Sequence, residues 1–134
     1  MKTNIIKRIF LSLLMVFVFA LTNAQNDIPS DVITALGNGD ATRLSPFLNA
    51  NVELVVAKTN DVLSRQQTTG ILTDFFKKNK VSTFSVLHNG NRESASFLIG
   101  NLNTANGNFR VYILMRKSGN QTLIQQLRIE STNE

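Results

Sequence analysis

The sequence contains no cysteine, which excludes disulfide bonds, thiolate nucleophiles and zinc sites built on cysteine. It contains a single histidine, His88, so histidine-based metal clusters and acid–base catalysis by paired histidines are excluded as well. Neither a G-x-S-x-G motif nor a glycine-rich phosphate-binding loop is present. The sequence therefore predicts no catalytic motif, no metal and no cofactor, and its fold must be stabilised by an ordinary hydrophobic core.

The sequence also lacks a large excess of positive charge outside its N-terminal segment. The 14 lysines and arginines exceed the 9 acidic residues, but Lys2, Lys7 and Arg8 lie at the N terminus. The rest of the chain then carries 11 basic and 9 acidic residues. So weak an excess does not provide the clustered basic patch of nucleic-acid-binding proteins, and we expect no nucleic-acid partner.

The first 24 residues have the pattern of a secretory signal peptide. Their basic start is followed by an apolar run over 9–21 and by the small-residue segment 22–24. The run has 13 residues, whereas a helix that crosses a bilayer needs about 20. We therefore expect cleavage after Ala24, export to the periplasm or the exterior, no membrane attachment of the mature chain, and a single domain over 25–134.

Two short helices are predicted at the start of this domain. Asp27 or Ser30 can cap the first helix, and Gly37 and Gly39 end it. Its apolar residues recur at helical spacing, at Ile28, Val32, Ile33 and Leu36. Asp40 can cap the second helix, which contains a proline and is therefore expected to be brief or irregular. The two form a small helical hairpin.

After these helices, the spacing of the apolar residues changes from that of a helix to that of a strand. Residues 51–57 are rich in β-branched side chains and predict a strand, and 58–61 predict a turn. After a short extended piece at 62–63, Ser64 is typical of the N-cap of the longest helix. The apolar stripe of this helix is formed by Thr68, Ile71, Leu72, Phe75 and Phe76.

The remaining sequence alternates as strands do. Four strands begin at Val81, Ser94, Asn108 and Thr122. The turns between them are predicted at Asn89-Gly90, Asn106-Gly107 and 118–120. An Asn-Gly pair favours a two-residue type I′ turn because both residues tolerate a positive φ. The C-terminal half is therefore predicted to be an antiparallel meander.

One face of this meander is predicted to be buried beneath the long helix. Its residues in the third strand are Phe109, Val111, Ile113 and Met115. In the last strand, a three-residue loop at 118–120 would bury Leu123, Leu127 and Ile129. A two-residue loop would instead bury Ile124, Gln126, Arg128 and Glu130. The first register is preferred because the second buries charge.

The opposite face of the sheet mixes apolar and polar residues. Its apolar members are predicted to be Phe97, Ile99, Tyr112, Leu114 and Ile124. They are interspersed with Arg110, Arg116, Gln126 and Arg128. An apolar patch with a polar rim on an open sheet is typical of an association surface. We therefore expect a homodimer through this face.

The order helix, helix, strand, long helix and four strands resembles the nuclear-transport-factor-2-like, or cystatin-like, α+β fold, in which a curved antiparallel sheet wraps a long helix into a cone. Four segments carry a closer likeness: NVEL at 51–54, ILTDFFKKN at 71–79, NGNFRVYILMRKSG at 106–119 and LIQQLRIE at 123–130. On these segments the mature chain resembles an uncharacterised family of exported bacterial proteins with this fold, a domain of unknown function. These are packing and turn residues, so the resemblance implies a fold and transfers no catalytic residue.

Five residues are candidates for a ligand site. Tyr112, Arg110 and Arg128 could bind a polar or anionic ligand if they converge, and otherwise they form a solvated or dimer-facing surface. Glu53 lies in mid-strand between apolar neighbours, so it is either an outward-facing residue or a buried acid. His88 is either a solvated residue near a turn or a general base.

The leading functional hypothesis is an exported, non-catalytic domain that binds a small ligand in the cone or a protein partner. The alternative is a metal-free acid–base enzyme of the isomerase or dehydratase type with its site inside the cone, as in relatives with this fold. An interior filled with apolar side chains favours binding. A pocket that contains Glu53, His88 or Tyr112 favours the enzyme.

Overall fold

The computed structural model describes residues 28–132, so the predicted signal peptide 1–24 and the predicted cap Asp27 lie outside the described residues. The helices are α1 Ser30–Asn38, α2 Ala41–Leu44, a 3-10 helix Ser45–Phe47 and α3 Arg65–Lys78. The strands are β1 Leu48–Val56, β2 Thr59–Ser64, β3 Val81–Arg92, β4 Ala95–Thr104, β5 Gly107–Ser118 and β6 Gln121–Ser131. Among the helices within 28–132, none combines the length and the apolar character that crossing a bilayer requires.

The first two helices are joined by a left-handed residue. Ser30, a predicted cap, is instead the first residue of α1, and the extended Pro29 precedes it without a side-chain cap. Proline suits this position because it needs no hydrogen-bond partner for its backbone nitrogen. Gly39 ends α1 with a φ of 61°, and Asp40 caps α2 by accepting a hydrogen bond of 3.0 Å from the Arg43 backbone N–H.

Helix α3 begins with a reciprocal cap. The Ser64 hydroxyl accepts a hydrogen bond from the Gln67 N–H, and the Gln67 side chain accepts one from the Ser64 N–H, both at 3.1 Å. Its buried side is formed by Thr68, Leu72, Phe75 and Phe76. The Phe75 ring packs edge-to-face on Phe109 of β5, with ring centroids 5.1 Å apart. This contact links the helix to the sheet.

The six strands form one sheet in the order β2-β1-β6-β5-β4-β3. Strands β3 to β6 are an antiparallel meander, as predicted. Strand β1, however, pairs with β6 in parallel, so the sheet is mixed, and the expected wholly antiparallel sheet is wrong. The direction follows from the order of the elements. Strand β2 runs opposite to β1, helix α3 returns the chain so that β3 runs in the direction of β2, and three hairpins then leave β6 running in the direction of β1.

Strand β2 is longer than the predicted extended piece at 62–63. The turn after β1 has only two residues, Ala57 and Lys58, instead of the predicted turn over 58–61. Ala57 adopts a φ of 51° there. The shorter turn leaves six residues for β2, which places Val62 directly opposite Glu53.

The predicted turn at Asn89-Gly90 is wrong, because β3 continues through both residues to Arg92. Gly90 lies opposite Phe97, and a Cβ at Gly90 would be 2.9 Å from the Phe97 ring. The glycine is therefore needed for the packing of an aromatic ring and not for a positive φ. The turn itself lies at 93–94, where Glu93 has a φ of 57°.

The turn between β4 and β5 lies one residue earlier than predicted, at 105–106. This pairs Leu102 with Phe109 and Leu98 with Ile113. Moving a two-residue turn by one position shifts the register by two, which leaves every side chain on its predicted face. The prediction of the buried face of β5 is therefore confirmed, although its register is wrong.

The last strand combines the two registers considered for it. Its turn has two residues, 119 and 120, so Ile124 lies opposite Met115 and is buried in the core instead of lying on the open face. Gln125 then has no partner on β5, which makes a β-bulge. Leu127 consequently faces the core as predicted. The bulge thereby avoids the burial of charge that an uninterrupted two-residue register would cause.

The register preferred from the sequence is wrong for Leu123. This residue lies opposite Arg116 on the open face of the sheet and is not part of the main core cluster, although it is largely buried. Ile129 lies opposite Val111 in the core, as expected.

The core lies between the helices and one face of the sheet, here called the inner face. Its sheet residues include Leu54, Leu98, Leu102, Val111, Ile113, Met115, Ile124, Leu127 and Ile129, and its helical residues include Val32, Leu36, Leu44, Leu72, Phe75 and Phe76. Among the described residues, the buried polar side chains are Thr68 and Ser96. The inner face is thus filled by apolar side chains.

The Thr68 hydroxyl is buried and has no hydrogen-bond partner within 28–132. A buried hydroxyl without a partner destabilises the folded state, and valine has nearly the same shape and helix propensity. Thr68→Val is therefore expected to raise the free energy of unfolding by about 1 kcal/mol in urea titrations.

The neighbouring Thr69 provides a control. Its hydroxyl makes hydrogen bonds of 2.8 Å to the Arg65 carbonyl and 3.0 Å to the Ser45 hydroxyl. Thr69→Val should lower the free energy of unfolding by about 0.5–1 kcal/mol. A loss of stability in Thr68→Val as well would mean that the Thr68 hydroxyl has a partner.

Candidate functional site

The candidate residues lie on the outer face, which we define as the face of the sheet opposite the core. Strand pairing arranges its side chains in rows across the strands. One row contains His88, Ile99, Tyr112, Arg128 and Val55, and the next contains Gly90, Phe97, Leu114, Gln126, Glu53 and Val62. Directly opposed residues have Cβ atoms about 5 Å apart, so neighbours in a row are in contact range.

The centre of the outer face is apolar. Phe97 lies opposite Leu114 and Ile99 lies opposite Tyr112, and all four are half-buried. We call these four residues the outer patch. Polar residues surround it on β5, β6 and β1, so the predicted combination of an apolar patch and a polar rim is present without Ile124, which lies in the core.

Tyr112, Arg110 and Arg128 converge, because they line one open groove of about 390 Å³ together with Gln126 and Glu130. Both arginines in this groove already have a partner. Arg128 forms an ion pair with Glu130, with an Nη2–Oε1 distance of 2.9 Å. Arg110 donates a hydrogen bond of 3.1 Å from Nε to the Asn101 side chain. These contacts lower the capacity of the groove to bind an anion.

Glu53 is exposed on β1 and has Val62 and Gln126 as strand neighbours. It lines a second groove, of about 370 Å³, together with Arg116 and Leu114. The buried-acid interpretation of Glu53 is therefore wrong, since alternation along the strand places its side chain opposite the core.

His88 is exposed on β3, opposite Ile99. Its ring lies beside the Phe97 ring, with centroids 5.7 Å apart. Four strand spacings separate β3 from β1, so His88 and Glu53 are roughly 19 Å apart and cannot act on one small group. No group of three or more His, Asp or Glu residues suited to a metal ion occurs in the part of the chain that is described.

A third groove, of about 570 Å³, lies where β3, β4 and β5 meet near the 93–94 turn. It is lined by Arg92, Glu93, Ala95, Phe97, Ile99, Tyr112, Leu114 and Arg116. We call it the β3–β5 groove. Arg92 and Ala95 are not among the residues predicted for a site, because a turn at Asn89-Gly90 leaves Arg92 outside the sheet and so gives Ala95 no charged neighbour on β3.

The arrangement of a curved six-stranded sheet with helices on one face defines an α+β domain of the nuclear-transport-factor-2-like class. A protein of unknown function from Cytophaga hutchinsonii described as NTF2-like has a TM-score of 0.55 and 15% identity, over 75% of this chain and 83% of that chain. This likeness concerns the fold alone.

The chain belongs to the family described as Domain of unknown function (DUF4783), whose model matches residues 29–130. A crystal structure of a DUF4783 family protein from Bacteroides ovatus is 44% identical, with a TM-score of 0.78 over 82% of this chain and 100% of that chain. Another, from Bacteroides fragilis, is 43% identical, with a TM-score of 0.76 over 79% and 100%. No curated protein matches the chain.

Proposed function

We propose that this protein is an exported, non-catalytic binding domain that forms a homodimer through its outer face. The observation that carries the proposal is the outer patch, an apolar surface that the helices of the fold leave uncovered. Export itself is inferred from the signal-peptide pattern of residues 1–24, and it places the mature chain in the periplasm or outside the cell.

The size of the outer face suits a stable dimer. The five strands from β3 to β1 are about 4.8 Å apart and about ten residues long, at about 3.3 Å per residue. They therefore cover roughly 24 Å by 33 Å. This area of roughly 800 Å² equals the surface that each partner contributes to a standard protein interface. A second copy presents the same area and the same apolar centre, as a two-fold interface requires.

The charges on the rim support pairing of two like surfaces. Arg116 and Glu53 lie on the outer face, and neither forms an ion pair with another residue within 28–132. Because the face carries both an unpaired cation and an unpaired acid, Arg116 of one copy can form an ion pair with Glu53 of the other. A surface of one sign would repel its own copy.

A catalytic role inside the cone is less well supported. The inner face is filled by apolar side chains, with Thr68 and Ser96 as the buried polar residues of the described chain. Glu53, His88 and Tyr112, the residues that an acid–base enzyme could have used, all lie on the outer face. A small ligand in the cone would need to displace core side chains.

The dimer can be tested with Leu114→Lys, which places a charge at the centre of the outer patch. In a two-fold interface the substitution is present on both subunits, so the dimer dissociation constant should rise at least about a hundredfold. Native mass spectrometry and light scattering after size-exclusion chromatography measure this.

Val86→Lys is the matched control. Val86 is a partly exposed apolar residue on β3, but it lies opposite Gly100 on the inner side of the sheet. This variant should dimerise as the original protein does. A monomeric original protein, or equal dimerisation of the two lysine variants, would refute the proposed interface.

A further inference from the structure

The β3–β5 groove owes its shape to two small residues. Gly90 accommodates the ring of Phe97, since a Cβ at Gly90 would lie 2.9 Å from that ring. Ala95 lies between two arginines in the next row, because it is paired with Arg92 on one side and with Arg116 on the other. A depression therefore remains above Ala95, next to the Phe97 ring.

The groove has a charged end and an apolar floor. Arg92 and Arg116 are two strand spacings apart, or roughly 10 Å between Cα atoms, so their long side chains can both reach the space above Ala95. The floor away from them is formed by Phe97, Ile99 and Leu114.

The two guanidinium groups are available for a ligand. Neither Arg92 nor Arg116 forms an ion pair within residues 28–132, in contrast to Arg128, which is paired with Glu130. Glu93 lies at the turn and contributes the one acidic group of the groove lining. The lining thus carries a net positive charge beside an apolar surface.

We propose that the β3–β5 groove binds a small monocarboxylate with an apolar body. Its carboxylate would lie between Arg92 and Arg116, where planar guanidinium groups can each donate two hydrogen bonds to it. Its apolar body would cover Phe97, Ile99 and Leu114. The volume of about 570 Å³ lies within the range of small-molecule sites.

This inference goes beyond the proposed dimer but concerns part of the surface that the dimer would cover, since Phe97, Ile99 and Leu114 belong to the outer patch. Octanoate and a second copy of the chain therefore compete for these residues, and binding is measured at a protein concentration at which native mass spectrometry shows the monomer.

Octanoate is the probe, and nitrogen-15 NMR of the purified protein follows the backbone amides while the probe is added. Saturable shifts are expected around Ala95, Phe97 and Leu114. Octanamide, which has the same body without the charge, and acetate, which has the charge without the body, should each bind at least about tenfold more weakly.

Substitutions locate the carboxylate. Arg92→Gln and Arg116→Gln should each weaken octanoate binding by about tenfold, because each removes charge-assisted hydrogen bonds from a partly exposed site. Ala95→Trp should abolish binding by filling the depression. Lys117→Gln is the control, because this neighbour of Arg116 has the same charge and lies on the opposite side of the strand; binding should not change.

The dispersion of the NMR spectrum shows that each variant is folded. The absence of saturable shifts in the original protein, or shifts elsewhere on the molecule, would overturn the proposal. Equal binding of octanamide and octanoate would also overturn it, as would unchanged affinity in both arginine variants. The oligomeric state, measured without octanoate, tests the dimer alone, and added octanoate is expected to lower the fraction of dimer.

Discussion

Gly100→Ala is expected to lower the free energy of unfolding by about 3 kcal/mol. A Cβ at this position would lie 2.4 Å from the Phe84 ring and 2.8 Å from the Ser85 backbone oxygen. The Ser85 oxygen belongs to the backbone of β3, which is paired with the strand of Gly100, so it cannot move away without disturbing the sheet, and the Phe84 ring would have to leave its position against Gly100. Overpacking of this kind forces strain into the core.

Gly70→Ala is the matched control for this substitution. Gly70 lies within α3, and a Cβ there would have no neighbour within 4 Å. Alanine should raise the free energy of unfolding by about 0.5–1 kcal/mol because glycine is a poor helix former. Urea unfolding of both variants measures the contrast, and equal effects would show that the Phe84 ring does not cover Gly100.

A double variant identifies the cause of the Gly100 effect. If the Phe84 ring causes most of the strain, Phe84→Ala should remove much of the additional cost of Gly100→Ala. Strictly additive effects would assign the cost to the Ser85 backbone oxygen.

Ile124→Asn is expected to lower the free energy of unfolding by about 4 kcal/mol. The structure places Ile124 fully buried on the inner face, opposite Met115. Asparagine there would replace an apolar side chain by an amide without hydrogen-bond partners. Chemical denaturation measured by circular dichroism provides the value.

Leu123→Asn completes this test of the strand register. Leu123 is only 7% exposed, but it lies on the outer face opposite Arg116 and outside the main core cluster, so an amide there has a polar neighbour. The free energy of unfolding of Leu123→Asn should therefore fall by only about 1–2 kcal/mol. If Leu123→Asn proved the more damaging of the two, the bulge at Gln125 would be misplaced and the three-residue loop would be correct.

Much of the fold can be predicted from the spacing of apolar residues and from the order of the predicted helices and strands. The alternation of Phe109, Val111, Ile113 and Met115 predicts the buried face of β5 correctly, because burial on one face imposes a period of two. Asp40 is confirmed as the cap of α2, since its side chain and the free N–H groups of that helix are adjacent along the chain. Such features depend on near neighbours.

The errors arise where a distant residue decides the outcome. Gly90 has the local signature of a turn, but the ring of Phe97 occupies the space beside it. The position of Ile124 depends on a bulge at Gln125, which no local pattern indicates. The same holds for the candidate site, since the pairing of Arg92 and Arg116 through Ala95 appears only once the turn at 93–94 is known.

The parallel pairing of β1 with β6 has a consequence for the order of folding. Leu54 and Leu127 are partners across this pair although 73 residues separate them along the chain. Closing so long a loop costs entropy before the contact stabilises anything, and structures rich in distant contacts fold slowly. Strands β3, β4 and β5 can associate through short hairpins as soon as they exist. Strand β1 can pair with β2 early, but its other edge stays unpaired until the eleven-residue strand β6 has formed.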